Sequence, residues 1–132
     1  MWRQIGGAIA GIVAWIALVM VFDLVLRRMW PDYAAVEKAM AFTLLMMAAR
    51  LTESGLASLF GGAIAAVLGR DRLKPPLIAG IVLLIPFAYF HYFVLWPKFP
   101  VWYHLTFLSS LVILSVAGGR LARGRRLMFQ TA

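Results

Sequence analysis

Four long apolar stretches constrain this chain more than any other feature of its sequence. They cover residues 5–26, 49–69, 77–96 and 101–119, and each approaches the roughly 20 residues that a helix needs to cross the core of a bilayer. Because lipid offers backbone groups no hydrogen-bond partner, a span must satisfy them internally, as a helix does. The pattern predicts an all-α membrane protein: one domain, residues 1–132, forming an antiparallel four-transmembrane-helix bundle.

The composition supports a membrane protein and argues against a soluble domain. Apolar residues make up 64% of the chain and charged residues only 14%, with a mean hydropathy of +0.89. The net charge of +8 would suit nucleic acid if basic residues covered one face of a soluble fold. Here they lie between apolar stretches, which favours the lipid bilayer as partner and no nucleic acid. The absence of cysteine excludes disulfides and thiolate chemistry.

The distribution of Lys and Arg predicts the orientation of the chain. If the N-terminus is cytoplasmic, the cytoplasmic segments hold the larger basic set: Arg3, Arg70, Arg72, Lys74, Arg120, Arg123, Arg125 and Arg126. The opposite side then holds Arg27, Arg28, Lys38 and Lys98. By the positive-inside rule, both termini are expected in the cytoplasm. The expected membrane anchors form two groups. The outer aromatic belt consists of Trp30, Trp96 and Trp102, and the cytoplasmic basic set consists of Arg70, Arg72, Arg123, Arg125 and Arg126.

The second apolar stretch belongs to a segment longer than one membrane crossing. Nothing from residue 33 to residue 69 breaks a helix decisively, and a helix of that length would reach roughly 55 Å, against a core of about 30 Å. We therefore expect residues 33–48 to form a helical extension at the outer interface that leads into a span at 49–69. A crossing at 39–58 is the alternative, but it would leave the apolar residues that follow without a place in the bilayer.

Five ionisable residues within or near the spans form a candidate polar cluster: Asp23, Arg50, Glu53, His91 and His104. With the expected topology, all of them fall in the outer half of the bundle, and they come from four different helices. Ionisable groups inside a membrane mark functional sites by default. Their convergence at one level makes this cluster the candidate site.

Two ion pairs are expected in this cluster. Arg50 and Glu53 are three residues apart, which places them as neighbours on one helix face and predicts a pair between them, structural or functional. Asp23 precedes Arg27 by four residues, the favoured order for an intrahelical pair. A pair between Asp23 and Arg50 is the alternative for that carboxylate.

His91 and His104 are expected to be neutral and hydrogen-bonded. Two histidines and two carboxylates are formally enough to bind zinc or to relay protons. Their spacing, however, contains no local metal motif such as His-x-x-x-His or Glu-x-x-His. No metal and no cofactor are therefore expected.

Small residues predict where helices pack closely. Gly7 and Gly11 form a Gly-x-x-x-Gly pair in the first span, and the second span has a small-residue face that includes Ser54, Ser58, Gly61 and Gly62. Such residues let two helix backbones approach each other. The contacts are expected within one chain or between two copies.

Three segments carry a resemblance to known proteins: "FTLLMMAARL" (42–51), "KFPVWYHLTFL" (98–108) and "GGRLA" (118–122). Together they resemble a group of small bacterial four-span inner-membrane proteins usually described as uncharacterised, over about two thirds of the chain. The resemblance implies a multi-pass protein of the bacterial inner membrane. It implies no activity and no catalytic residue. Because Arg50 and His104 lie in the resembling segments, it favours these two among the candidate site residues.

Three function classes follow from these observations. The first is a structural or accessory membrane subunit that docks another membrane protein or a second copy. The second is a small oligomeric transporter or proton-coupled carrier that uses Glu53 and the histidines. The third, an enzyme, is not expected, because the sequence holds no nucleophile–base set, metal motif or phosphate loop.

Overall fold

The computed structural model describes the backbone of residues 1–130 and the side chains of residues 1–122, and that part contains helices and no strand. The helices are α1 (Trp2–Met29), α2 (Pro31–Val36), α3 (Leu44–Gly69), α4 (Lys74–Phe90) and α5 (Val101–Gln130). A π-helical turn (His91–Leu95) and a 3₁₀ turn (Trp96–Lys98) continue α4. The side chains of Arg123, Arg125 and Arg126, expected as anchors, lie outside the described residues.

Four of the helical segments are long and apolar enough to cross a membrane: Trp2–Met29, Leu44–Gly69, Lys74–Lys98 and Val101–Ala122. This confirms the expectation of an all-α chain with four long apolar helices. The third segment includes both turns that follow α4. Its length therefore depends on helical structure that continues past Phe90.

α3 lies at the centre of the bundle and packs on α1, α4 and α5. The start of α1 lies against the last turn of α3, so these two helices run antiparallel. α5 runs antiparallel to α4, since Gly80 of α4 meets Leu111 while His91 meets His104. It runs parallel to α3, since Arg50 contacts Tyr103 while Gly62 meets Ser115. The order is therefore up-down-up-down. We call the end that holds residues 23–50 and 91–104 the α2 end.

Residues 33–48 do not form the expected continuous extension. α2 ends at Val36, Met40 takes a left-handed conformation with a φ of 52°, and α3 begins only after Thr43. The Thr43 hydroxyl accepts a hydrogen bond from a backbone N–H in the first turn of α3, as an N-cap does. This break turns α2 back, so that Tyr33 is completely buried at the end of the bundle.

Small residues join α1 to α3 within one chain. A side chain at Gly7 would collide with the backbone of Gly69, and one at Gly11 would collide with the backbone of Gly61. One turn further along, the Trp15 indole N–H donates to the Ser58 hydroxyl over 3.0 Å.

The other face of α3 meets α5. A side chain at Gly62 would collide with the backbone of Ser115. Ser54 is buried on α3, and its hydroxyl has no hydrogen-bond partner among the described residues. The expected small-residue positions therefore serve contacts inside the bundle.

The expected anchors with described side chains occupy opposite ends of the bundle. Trp96 and Trp102 lie at the α2 end and are each 44% exposed. Trp30 lies at the same end but is half-buried, because its ring packs beside Tyr33. At the other end, Arg70 and Arg72 are exposed in the connection between α3 and α4, where Arg70 ends α3 with a φ of 56°.

Two adjacent glycines provide a test of the α1–α3 contact. We expect Gly7→Ala to destabilise the protein by about 1–3 kcal/mol, because the added methyl group overlaps α3 backbone. Gly6→Ala is the matched control: no other part of the described structure comes within 4 Å of that methyl group, and alanine favours helix. Thermal unfolding in detergent measures both, and equal melting temperatures would contradict the contact.

Candidate functional site

A series of hydrogen bonds centred on Tyr33 joins four helices at the α2 end. Arg50 Nη1 of α3 donates to the Tyr33 phenol oxygen over 2.7 Å, and the Tyr33 hydroxyl donates to Asp23 Oδ1 of α1 over 3.3 Å. Arg50 Nε also donates to the phenol oxygen of Tyr103 on α5, over 3.3 Å. Asp23 and Arg50 are thus linked through a phenol, not through a direct ion pair.

The same network continues outward through Arg27. Its guanidinium forms the expected intrahelical ion pair with Asp23, which confirms that prediction. It also donates to both carboxylate oxygens of Glu37, just after α2, with two hydrogen bonds of 2.7 Å. Such bidentate geometry is the strong form of an Arg–carboxylate contact. It fastens α2 to α1 at the exposed edge of the network.

The predicted ion pair between Arg50 and Glu53 is wrong, since none joins them among the described side chains. Arg50 reaches the phenols of α2 and α5 instead, and its guanidinium carbon lies 4.8 Å from the centre of the Phe42 ring. A guanidinium over an aromatic face gains a cation–π interaction. Spacing on α3 placed the two charges on neighbouring positions, but partners from other helices decided where the guanidinium lies.

Glu53 lies beside α1, apart from this network. Its side chain is only 9% exposed, and its Oε2 has no hydrogen-bond partner among the described residues. It borders a groove of about 290 Å³ between α1 and α3. The groove is lined by Phe22, Val25, Leu26, Ala49, Thr52, Glu53 and Leu56.

His91 and His104 form a buried pair. Their Nδ1 atoms are 2.8 Å apart, and the rings are 3% and 1% exposed. One Nδ1 donates and the other accepts, so the contact holds a single proton. His104 Nε2 is enclosed without a hydrogen-bond partner in the described structure. Trp96 stacks on His104 with ring centres 4.8 Å apart, and Phe107 stacks on His91 at 4.6 Å.

The described side chains contain no group of three or more His, Cys, Asp or Glu residues that could hold a metal ion. The histidine pair therefore lacks a third ligand of these types within residues 1–122. Zinc sites use at least three protein ligands. What the pair can do chemically is hold or pass one proton between its rings.

Two tyrosines of the site were missed by sequence reasoning. Tyr33 is fully buried and Tyr103 is 2% exposed, and between them they satisfy Arg50. Two general rules could have indicated them: a buried tyrosine needs a partner for its hydroxyl, and an arginine inside a span needs hydrogen-bond acceptors. Sequence reasoning instead considered only the other members of the candidate polar cluster as partners for Arg50.

Burial changes the acidity of the central phenol. Burial raises the pKa of Tyr33 to about 12, although the neighbouring Arg50 favours the ionised form. The neutral phenol donates to Asp23 while it accepts from Arg50, and a phenolate would lose the first of these bonds. The network therefore depends on a protonated Tyr33.

Comparisons with known protein families, with curated proteins and with solved structures give no match for this chain. The site must therefore be interpreted from its geometry. That geometry consists of three parts: the network around Tyr33, the histidine pair, and the separate carboxyl group of Glu53.

Tyr33→Phe removes the hydroxyl and keeps the ring. We expect it to lower the free energy of unfolding by about 1–3 kcal/mol, because it leaves Arg50 and Asp23 each without one partner. Thermal unfolding in detergent gives the measurement. Tyr89→Phe, at a position 66% exposed, is the matched control and should leave the melting temperature unchanged. A Tyr33→Phe protein as stable as this control would show that the network contributes nothing.

The raised pKa of Tyr33 predicts a pH dependence. An ordinary tyrosine ionises near pH 10, so the stabilisation from the neutral phenol is complete below about pH 10 and is lost as the pH rises towards 12. The difference in tyrosinate absorbance between the native protein and Tyr33→Phe should appear near pH 12. A difference centred near pH 10 would contradict the burial of this phenol.

Proposed function

We propose that this chain is a multi-pass protein of the bacterial inner membrane, with both termini in the cytoplasm, that serves as a structural or accessory subunit. The distribution of Lys and Arg supports the orientation. The four long apolar helices support the membrane location. The α2 end then faces the periplasm, and the basic connection between α3 and α4 faces the cytoplasm.

The observation that carries the structural role is the pairing of the charges around Tyr33. Asp23, Arg27, Glu37 and Arg50 each contact an opposite charge or a phenol. A polar network whose members have partners makes a packing arrangement rigid and specific, and removing one partner of a buried polar group costs about 1–3 kcal/mol. The α2 end is therefore a fixed platform, suited to hold a partner in the membrane.

A proton-coupled carrier is the second candidate, and two unpartnered atoms favour it. Glu53 Oε2 and His104 Nε2 are enclosed without hydrogen-bond partners among the described residues. A proton can bind at Glu53 Oε2, and at His104 Nε2 when Nδ1 of the same ring carries the proton of the histidine pair. The groove beside Glu53 is not lined by either histidine. The carrier function would therefore require a rearrangement, which the structural role does not.

The orientation can be tested with single cysteines, because the chain contains none of its own. Lys98 and Arg72 are exposed at opposite ends. In intact spheroplasts, we expect a membrane-impermeant maleimide to label Lys98→Cys and to label Arg72→Cys only after permeabilisation. The cysteine-free protein is the control for background labelling. The reverse pattern, or equal labelling of both, would contradict the proposed orientation.

The accessory role can be tested by crosslinking in native membranes before extraction in mild detergent. At native expression level, we expect a complex of defined stoichiometry with another membrane protein or a second copy. The same preparation of Tyr33→Phe should lose this complex, because the platform is no longer fixed. A solitary monomer, with and without crosslinking, would overturn the accessory role.

A further inference from the structure

Glu53 is a buried carboxyl group at the α2 end that lies outside the hydrogen-bonded network. The hydrogen-bonded network holds two carboxylates, Asp23 and Glu37, and two guanidinium groups, Arg27 and Arg50. These balance each other. The four network residues and a protonated Glu53 together carry no net charge, whereas the same five residues with an ionised Glu53 carry one excess negative charge.

The groups that act electrostatically on Glu53 come from every helix around it. They are Asp23 and Arg27 of α1, Tyr33 of α2 with Glu37 just after it, Arg50 of α3 and Tyr103 of α5. Both guanidinium groups are already occupied by other partners. Among the described side chains, no cation forms an ion pair with the Glu53 carboxylate.

The groove beside Glu53 has the character of a small binding site. Its volume of about 290 Å³ lies just below the roughly 300–1,000 Å³ typical of ligand pockets. Apart from Glu53, its walls are mainly apolar, and Val25 and Leu56 are 46% and 40% exposed on the outside of the bundle. The groove therefore opens where lipid surrounds the protein.

An isolated carboxylate in such surroundings is costly unless it is protonated or paired with a cation. The groove extends over residues 22–26 of α1 and 49–56 of α3, which is no more than about two turns of either helix, so it fits a compact molecule better than the long seam of a partner helix. The complementary ligand is small, apolar over most of its surface, and positively charged.

We propose that this groove binds a lipophilic organic cation, whose charge pairs with the ionised Glu53 carboxylate while its apolar groups fill the space between α1 and α3. On binding, the O–H bond of the protonated carboxyl breaks and the proton passes to water. No covalent bond forms, and one positive charge replaces another. The inference does not rest on the structural role, and it names the substrate class that the carrier alternative would need.

Equilibrium dialysis of the purified protein in detergent tests the site, with tetraphenylphosphonium as the probe. We expect saturable binding of one cation per chain, release of one proton in weakly buffered solution, and weaker binding at lower pH as protons compete. Tetraphenylborate has nearly the same shape and the opposite charge, so it should not compete for the site.

Glu53→Gln keeps the size of the side chain and removes its charge. We expect it to weaken cation binding at least about tenfold and to abolish proton release. Leu56→Trp provides a second test in which the carboxyl group remains: the larger ring should fill the groove and block the cation. Ile85→Trp, on α4 at a position 67% exposed, is the matched control and should bind as the native protein does.

Three outcomes would overturn the proposal. The first is undiminished binding by Glu53→Gln, and the second is no saturable binding by the native protein. The third is a dimer crosslinked through the groove that tetraphenylphosphonium does not disrupt, which would assign the groove to a second copy. A solitary monomer that binds the cation would instead contradict the accessory role and leave this site supported.

Discussion

The solvation of Arg50 is the constraint on which the α2 end depends. A guanidinium does not give up its proton in a protein, so inside an apolar bundle it needs acceptors from the protein itself. Tyr33 and Tyr103 supply phenol oxygens, and the face of Phe42 covers the charge. Because these residues belong to three different segments, satisfying one side chain draws α2, the segment before α3, and α5 together.

The break between α2 and α3 follows from the same requirement. In a continuous helix from residue 33, Tyr33 would lie 17 residues before Arg50, which is roughly 25 Å along the helix axis and too far for a hydrogen bond. The left-handed Met40 and the cap at Thr43 let the chain reverse, so that the phenol reaches Arg50. The bidentate contact between Arg27 and Glu37 then holds the reversed segment against α1. The break in the helix between α2 and α3 thus allows Tyr33 to hydrogen-bond the Arg50 guanidinium.

Because Arg50 binds tyrosine hydroxyls, its network is separate from the carboxyl group of Glu53 at the same end of the bundle. Had Glu53 paired with Arg50, its carboxylate would be fixed in the ionised form. Because neutral oxygens satisfy the guanidinium, the carboxyl group stays apart, beside α1 and its groove. The histidine pair is a third unit, enclosed by Trp96 and Phe107. The hydrogen-bonded network, the carboxyl group of Glu53 and the histidine pair therefore lie at the same end of the bundle as three separate units.

The sequence by itself determined the elements of this protein: four apolar helices, small residues on the α1 and α3 faces, ionisable residues grouped at one end, and the pair between Asp23 and Arg27. Each follows from local spacing or from length along one helix. Only the tertiary structure decided which partner each charge has, where the second segment breaks, and that Glu53 has no ion-pair partner among the described side chains. The physical reason is that spacing specifies the face on which a side chain lies, whereas its partner depends on which residues of other helices approach that face. Tyr33 could contact Arg50 only after the chain between them had reversed its direction.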